Sequence, residues 1–321
     1  MYFPVISSRY STSKKRKLSP RAGGGGGGRG GGGSGGGRSG GSSSGRSGGG
    51  SSSGRSGGGS TSSSRSSGSV NTGGTSRPAT AYGGGGGSVT TIPSGQIFSG
   101  RQQGGATRSQ IYGTRQYGSG YPGITGRGVA GRGFPFFFWP IAWGGAAGVG
   151  GAAYLHSNEY GKPDNSSRPG GPVMTATFVS STGNSTFGLV ADNTTVVELI
   201  QDIRERCASQ NLNTSSSSTT PKAYNETDPS LPKPESVIQY YRASSVALTL
   251  QGYNNSATLS QDEGSPDTPL PSNIDTTLQN CLNQTIAEAV PLIGAGEARW
   301  AAPNVGVLTL LWILFYLSGM L

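Results

Sequence analysis

Two residue types in this 321-residue chain are spaced for covalent chemistry, and neither chemistry is catalysis. The first is cysteine, present at Cys207 and Cys281. In an oxidising compartment a pair of this kind forms a bridge, and two buried free thiols are the alternative. The second is the asparagine of Asn-X-Ser/Thr, the acceptor for N-linked glycans. It occurs at Asn165, Asn184, Asn193, Asn213, Asn225, Asn254 and Asn283. All seven lie between Ser157 and Ile293, and none precedes Gly133. That clustering points to a lumenal or extracellular face, against the plainer reading of a polar Asn/Ser/Thr-rich loop region.

Catalytic constellations are missing from the sequence. The single histidine, His156, has Glu159 and Asp164 as its nearest carboxylates along the chain. Gly-X-Ser-X-Gly occurs at Ser34, Ser39, Ser47 and Ser56, but inside a glycine repeat that supplies neither the strand nor the helix of a nucleophile elbow. The glycine runs lack the Lys-Ser/Thr ending of a phosphate loop. Asp262, Glu263 and Asp267 match no calcium-loop spacing, and one His with two cysteines argues against a transition-metal site. The expectation is a non-enzyme with no metal, no cofactor and no identifiable small-molecule substrate.

Membrane chemistry is better supported. Val305–Leu321 is uncharged, follows the spacer Glu297–Asn304, and is preceded by the small triplet Gly294, Ala295, Gly296. These are the three parts of a glycolipid-anchor signal, with the triplet as attachment site; a permanent C-terminal transmembrane helix is the rival. A second apolar run, Gly133–Leu155, has 23 residues and no formal charge. As a helix it would be about 35 Å long, enough for a hydrocarbon core of about 30 Å, although Pro135, Pro140 and six glycines weaken it. Met1–Arg132 carries 17 basic and no acidic residues, and Gly133–Leu321 carries 8 basic and 15 acidic ones. Positive charge flanks the cytoplasmic side of such segments, which predicts a signal anchor with the basic part inside and the acceptors outside. Met1–Ile6 is too short for the core of a cleavable signal peptide.

The elements that would position these residues divide the chain. Residues 1–132 read as a disordered basic arm. Arginine recurs at 29, 38, 46, 55 and 65 in Gly/Ser repeats, too apolar-poor to offset the entropy of ordering. Arg-Gly segments can bind RNA, but no aromatic lies between Arg21 and Ala81, so the stacking component is absent. Lys14–Lys17 is a weak nuclear-import pattern. Attraction to anionic lipid is the simpler role for these charges. Residues 133–155 read as the transmembrane segment, 172–293 as a small α+β domain with one disulfide, and 305–321 as the hydrophobic tail. Within the domain, Val173–Val179 and Ser185–Val190 predict a β-hairpin. Helical spacing aligns Val196, Ile200, Ile203 and Cys207 in one segment and Ile274, Leu278, Cys281 and Leu282 in another. Pro234–Leu250 predicts a third helix, with Val237, Tyr241, Ser244 and Leu248 on one face.

Gln239–Asn255 (QYYRASSVALTLQGYNN) and Pro271–Val290 (PSNIDTTLQNCLNQTIAEAV) resemble segments of an uncharacterised family of Gly/Ser/Arg-rich, membrane-associated proteins of mushroom-forming fungi. The resemblance covers about half the chain and implies no activity. The expected function is that of a membrane-anchored, N-glycosylated surface or secretory-pathway protein of structural or adhesive type. Its partners would be membrane lipids and other cell-surface components. The competing class is a nuclear or cytosolic RNA-associated protein with an Arg/Gly-rich tail.

Overall fold

A computed structural model describes residues 66–294, except 125, 144–152, 156–157, 184, 261 and 263. Strands β1 (Ser66–Thr72) and β2 (Thr75–Thr80) form a hairpin that turns at Gly73-Gly74, both at positive φ. A short pair follows, β3 (Thr90–Thr91) with β4 (Gln102–Gln103). Further along the chain come β5 (Val173–Val179), β6 (Thr186–Asp192) and helix α1 (Asn193–Arg206). Then come β7 (Lys222–Ala223), β8 (Val237–Tyr241), β9 (Val246–Leu250), α2 (Thr276–Ala289) and β10 (Leu292–Ile293).

The principal sheet is antiparallel in the order β7-β5-β6-β9-β8. Its register sets Thr177 opposite Gly188 and Gly188 opposite Thr249. The two-residue period of a strand therefore places Thr175, Thr177, Thr186, Gly188 and Thr249 on one face. Ala176, Phe178, Phe187, Leu189, Leu248 and Leu250 lie on the other and are buried. Helix α1 packs against β5 and β6, and α2 against α1. The chain then returns through β10 to pair with β2, so the second sheet has the order β1-β2-β10.

Three expectations are corrected here. Where an α+β unit with one hairpin and about three helices was expected, the fold is sheet-rich with two α-helices among the described residues. Pro234–Leu250 is a single 3-10 turn followed by the β8–β9 hairpin. Tyr241–Leu250 is buried at every position, with the polar Arg242, Ser244, Ser245 and Thr249 included, so no alternation of polar and apolar residues marks the strands and the segment can be read with either period.

The disordered N-terminal half is corrected for residues 66–132, which build part of the core. Val70, Ile92, Ile111, Tyr117, Tyr121 and Val129 are buried. Residues 111–114 run along the outer edge of β8, with Gly113 N–H donating to Tyr240 O at 3.0 Å and Tyr240 N–H to Thr114 O at 2.9 Å. Most arginines of this stretch satisfy backbone carbonyls, and Arg101 also pairs with the carboxylate of Glu159. Arg108 donates to the carbonyls of Ala81, Gly83, Ala287 and Val290, and Arg127 to those of Ala257, Ser260 and Ser265. Irregular backbone offers many carbonyls with no secondary-structure partner, and a guanidinium has five donors to fill them. The Gly/Ser/Arg repeats at 29–65 lie outside the described residues.

The hydrophobic membrane segments are corrected for Gly133–Trp143. This run is not a helix; Phe134, Phe136, Phe137, Phe138, Ile141 and Trp143 are buried in the globular core. Trp143 Nε1–H donates to Tyr240 Oη at 3.0 Å, and Ile141 N–H to Ser244 O at 2.9 Å. Pro135 and Pro140 lack amide donors, and Phe137 sits at φ 69°, so a helix cannot form through them. No helix among the described residues is long and apolar enough to cross a membrane. The signal-anchor topology fails with it: Arg108 cannot bond to Val290 across a bilayer. Residues 305–321 lie outside the described residues.

Candidate functional site

The two cysteines meet where the helices cross. Cys207 caps the C-terminus of α1 and is fully buried, and Cys281 lies in the second turn of α2 and is half-buried. They form a disulfide with the Cα atoms 5.8 Å apart, closing a separation of 74 residues. In the chain-entropy model such a closure contributes about 4 kcal/mol. Thr285 Oγ1 lies 3.6 Å from Cys207 Sγ, and a surface cavity of 450 Å³ opens beside Cys281, lined by Arg206, Gln210, Thr277, Asn280 and Gln284.

The six described acceptor asparagines lie on separate loops and helices. Asn225 and Asn254 are exposed in loops. Asn225 Oδ1 accepts from Thr227 N–H at 3.0 Å and Thr227 Oγ1–H at 2.8 Å, so asparagine and hydroxyl of one tripeptide share a turn. Asn165 and Asn213 are half-buried in loops where their Oδ1 atoms accept from Ser167 N–H, and from Ser215 and Ser216 N–H. Asn193 opens α1. Asn283 lies within α2 and its Oδ1 accepts from Tyr241 Oη–H. Asn184 lies outside the described residues. Of the small triplet, Gly294 forms a bridge with Gly86 at the end of the second sheet, and Ala295 and Gly296 lie beyond the described residues.

Two polar clusters that sequence reasoning did not single out hold the surrounding loops. Asp192 ends β6 and caps α1, accepting from Thr195 N–H at 3.0 Å and Thr195 Oγ1–H at 2.7 Å. Its Oδ2 pairs at 2.5 Å with Arg242, which is wholly buried. Arg242 also donates to Pro291 O at 2.6 Å and Ser245 Oγ at 2.7 Å, and stacks 3.6 Å from the centroid of Phe138. Gly170 approaches Asp192 so closely, at φ 83°, that a Cβ there would overlap Oδ1. The second cluster centres on Asp275, the cap of α2, whose carboxylate accepts from Leu278 N–H, Ser180 Oγ–H, Thr182 Oγ1–H and Asn211 Nδ2–H. Burial pushes this carboxyl up, but those hydrogen bonds outweigh it and hold it below the usual range.

Two further concave sites are lined by described residues. A groove of 670 Å³ lies on the threonine face of the large sheet, walled by Lys222, Pro229–Lys233, Glu235, Ser236 and Gln251–Asn254. Thr175 Oγ1 lines it with no hydrogen-bond partner. The other is a cavity of 320 Å³ between the β1–β2 turn and the loops carrying Gln96, Trp139 and Arg168. Its walls come from five separate stretches of chain, so no local motif could have announced it. Comparison with protein-family models, curated proteins and solved structures found no match.

Proposed function

We propose that this chain is an N-glycosylated protein of the secretory pathway or cell surface, with a structural or adhesive role. The observation that carries this reading is the disulfide that joins α1 to α2 at the core and leaves no free cysteine. Such bridges persist where the compartment is oxidising. Exposed acceptors at Asn225 and Asn254 accord with the same compartment. The proposed glycosylated face now includes residues 66–143, because they belong to the same fold. Membrane attachment, in this reading, resides in the C-terminal tail and its small triplet.

Native protein treated with a peptide-N-glycosidase should shift to lower apparent mass on a gel, with the shift reduced in Asn225→Gln and Asn254→Gln. Blocking free thiols before reduction should label neither cysteine. An unshifted band together with two freely alkylated thiols would sink the proposal and favour the nuclear or cytosolic class. Release from membranes by a phosphatidylinositol-specific phospholipase would identify the attachment as a glycolipid; retention would leave a transmembrane tail.

A further inference from the structure

The 320 Å³ cavity is built around a charge that the fold does not neutralise by contact. Arg168 is 5% exposed. Its Nη1 donates to Tyr160 O at 3.0 Å, and its Nη2 to Trp139 O at 3.3 Å and to Pro140 O. These acceptors are all backbone carbonyls. Its Nε–H has no hydrogen-bond partner, and Asp192, the acid that acts on it at longer range, is engaged by Arg242. A buried cationic donor left unmatched is costly, which marks a place for an acceptor from outside the protein.

The rest of the lining specifies that acceptor. Asn71, Gln96, Gln103 and Ser167 present amides and a hydroxyl, and Trp139 and Phe137 present rings. Among the described residues that line the cavity there is no lysine and no second arginine. One available cationic donor suits a carboxylate better than a phosphate dianion, which calls for several. Amides and hydroxyls beside aromatic faces suit a ring bearing hydroxyls. The walls are held in place: a Cβ at Gly73 would lie 3.1 Å from Gln103 Nε2, and one at Gly74 2.9 Å from Gln96 Nε2. Phe137 keeps its left-handed φ at this cavity, the kind of backbone strain that gathers at ligand sites. The volume falls at the small end of ligand pockets, about 300–1,000 Å³.

We propose that this cavity binds a hydroxyl-rich monocarboxylate of the hexuronic-acid class, its carboxylate on Arg168 and its ring against Trp139. The ligand can arrive free or as a unit of an acidic polysaccharide. Full-length protein would be titrated with sodium glucuronate, tetragalacturonate, glucose, acetate and inorganic phosphate, followed by calorimetry and tryptophan fluorescence. Saturable binding of glucuronate or tetragalacturonate, at least tenfold tighter than that of glucose, acetate and phosphate, is expected. The tighter of the two uronates identifies the source. Arg168→Gln should abolish binding, but it also removes carbonyl contacts, so Gln96→Ala at the exposed rim is the second variant. It should weaken binding at least fivefold with an unchanged melting temperature. Asn165→Gln is titrated in parallel, because a glycan there would stand beside Ser167 at the mouth. Absence of saturable binding of either uronate to both proteins overturns the proposal, as does equal affinity for glucose or an unaffected Gln96→Ala.

Discussion

Buried charge decides the local energetics at the residue scale. The Asp192–Arg242 pair is shielded from water, so its worth lies in its partners: each of the three guanidinium nitrogens donates to an oxygen, and the plane stacks on Phe138. Arg242→Met should destabilise the fold by about 3–5 kcal/mol, because it strands Asp192 without a counter-charge. Adding Asp192→Asn should recover part of that loss in urea denaturation, since the asparagine still caps α1. Asp275 makes a pH-dependent contribution. Its carboxyl, like that of Glu288, which burial raises but Arg206 and Gln284 lower further, titrates below its usual range in the folded chain. A depressed folded pKa means the stabilisation is complete above the unfolded carboxylate range, about pH 4, and disappears as pH falls through the folded values. Asp275→Asn should therefore cost about 2 kcal/mol at pH 7, and the difference from wild type should shrink toward pH 2.

Conformation and capping compete with propensity at the scale of elements. The β8–β9 turn carries Arg242, Ala243 and Ser244 at φ 50°, 49° and 60°, three successive L-residues in the left-handed region. Each costs about 1–2 kcal/mol relative to right-handed backbone. They persist because Arg242 N–H reaches Ile111 O, Ser244 O receives Ile141 N–H, and Ser244 Oγ receives Gly118 N–H. The segments 111–118 and 138–141 thus hold a hairpin that local preference would resist. Helix α2 ends similarly under outside control, with Arg108 filling the carbonyls of Ala287 and Val290. Arg108→Ala should lower stability by about 2 kcal/mol, and amide exchange should quicken in the last turn of α2 before the first.

The division between arm and domain disappears at the scale of the whole molecule. Residues 66–143 contribute Ile111, Tyr117, Phe134, Phe136, Ile141 and Trp143 to the same buried cluster as the large sheet and both helices. A fragment covering 172–294 should consequently stay unfolded by circular dichroism even with its disulfide intact. One covering 66–294 should melt cooperatively. A cooperative transition in the shorter fragment would show that the N-terminal segments merely decorate an autonomous core.

The Cys207–Cys281 bridge and the β5–β6 hairpin were legible in the sequence, because the hairpin rests on neighbours a few residues apart and the bridge on cysteine being present as a single pair. The fate of Gly133–Trp143 was not. An uncharged aromatic run satisfies a bilayer and a protein core equally, and what chooses between them is whether partners such as Tyr240 and Ser244, about a hundred residues away, fold to meet it. The same holds for Arg108, Arg115, Arg127 and Arg132, whose charge reads as solvated until the carbonyls they fill exist. Composition reports what a segment cannot do alone; burial against distant chain is a property of the assembled fold, where long-range contacts supply the free energy that local sequence lacks.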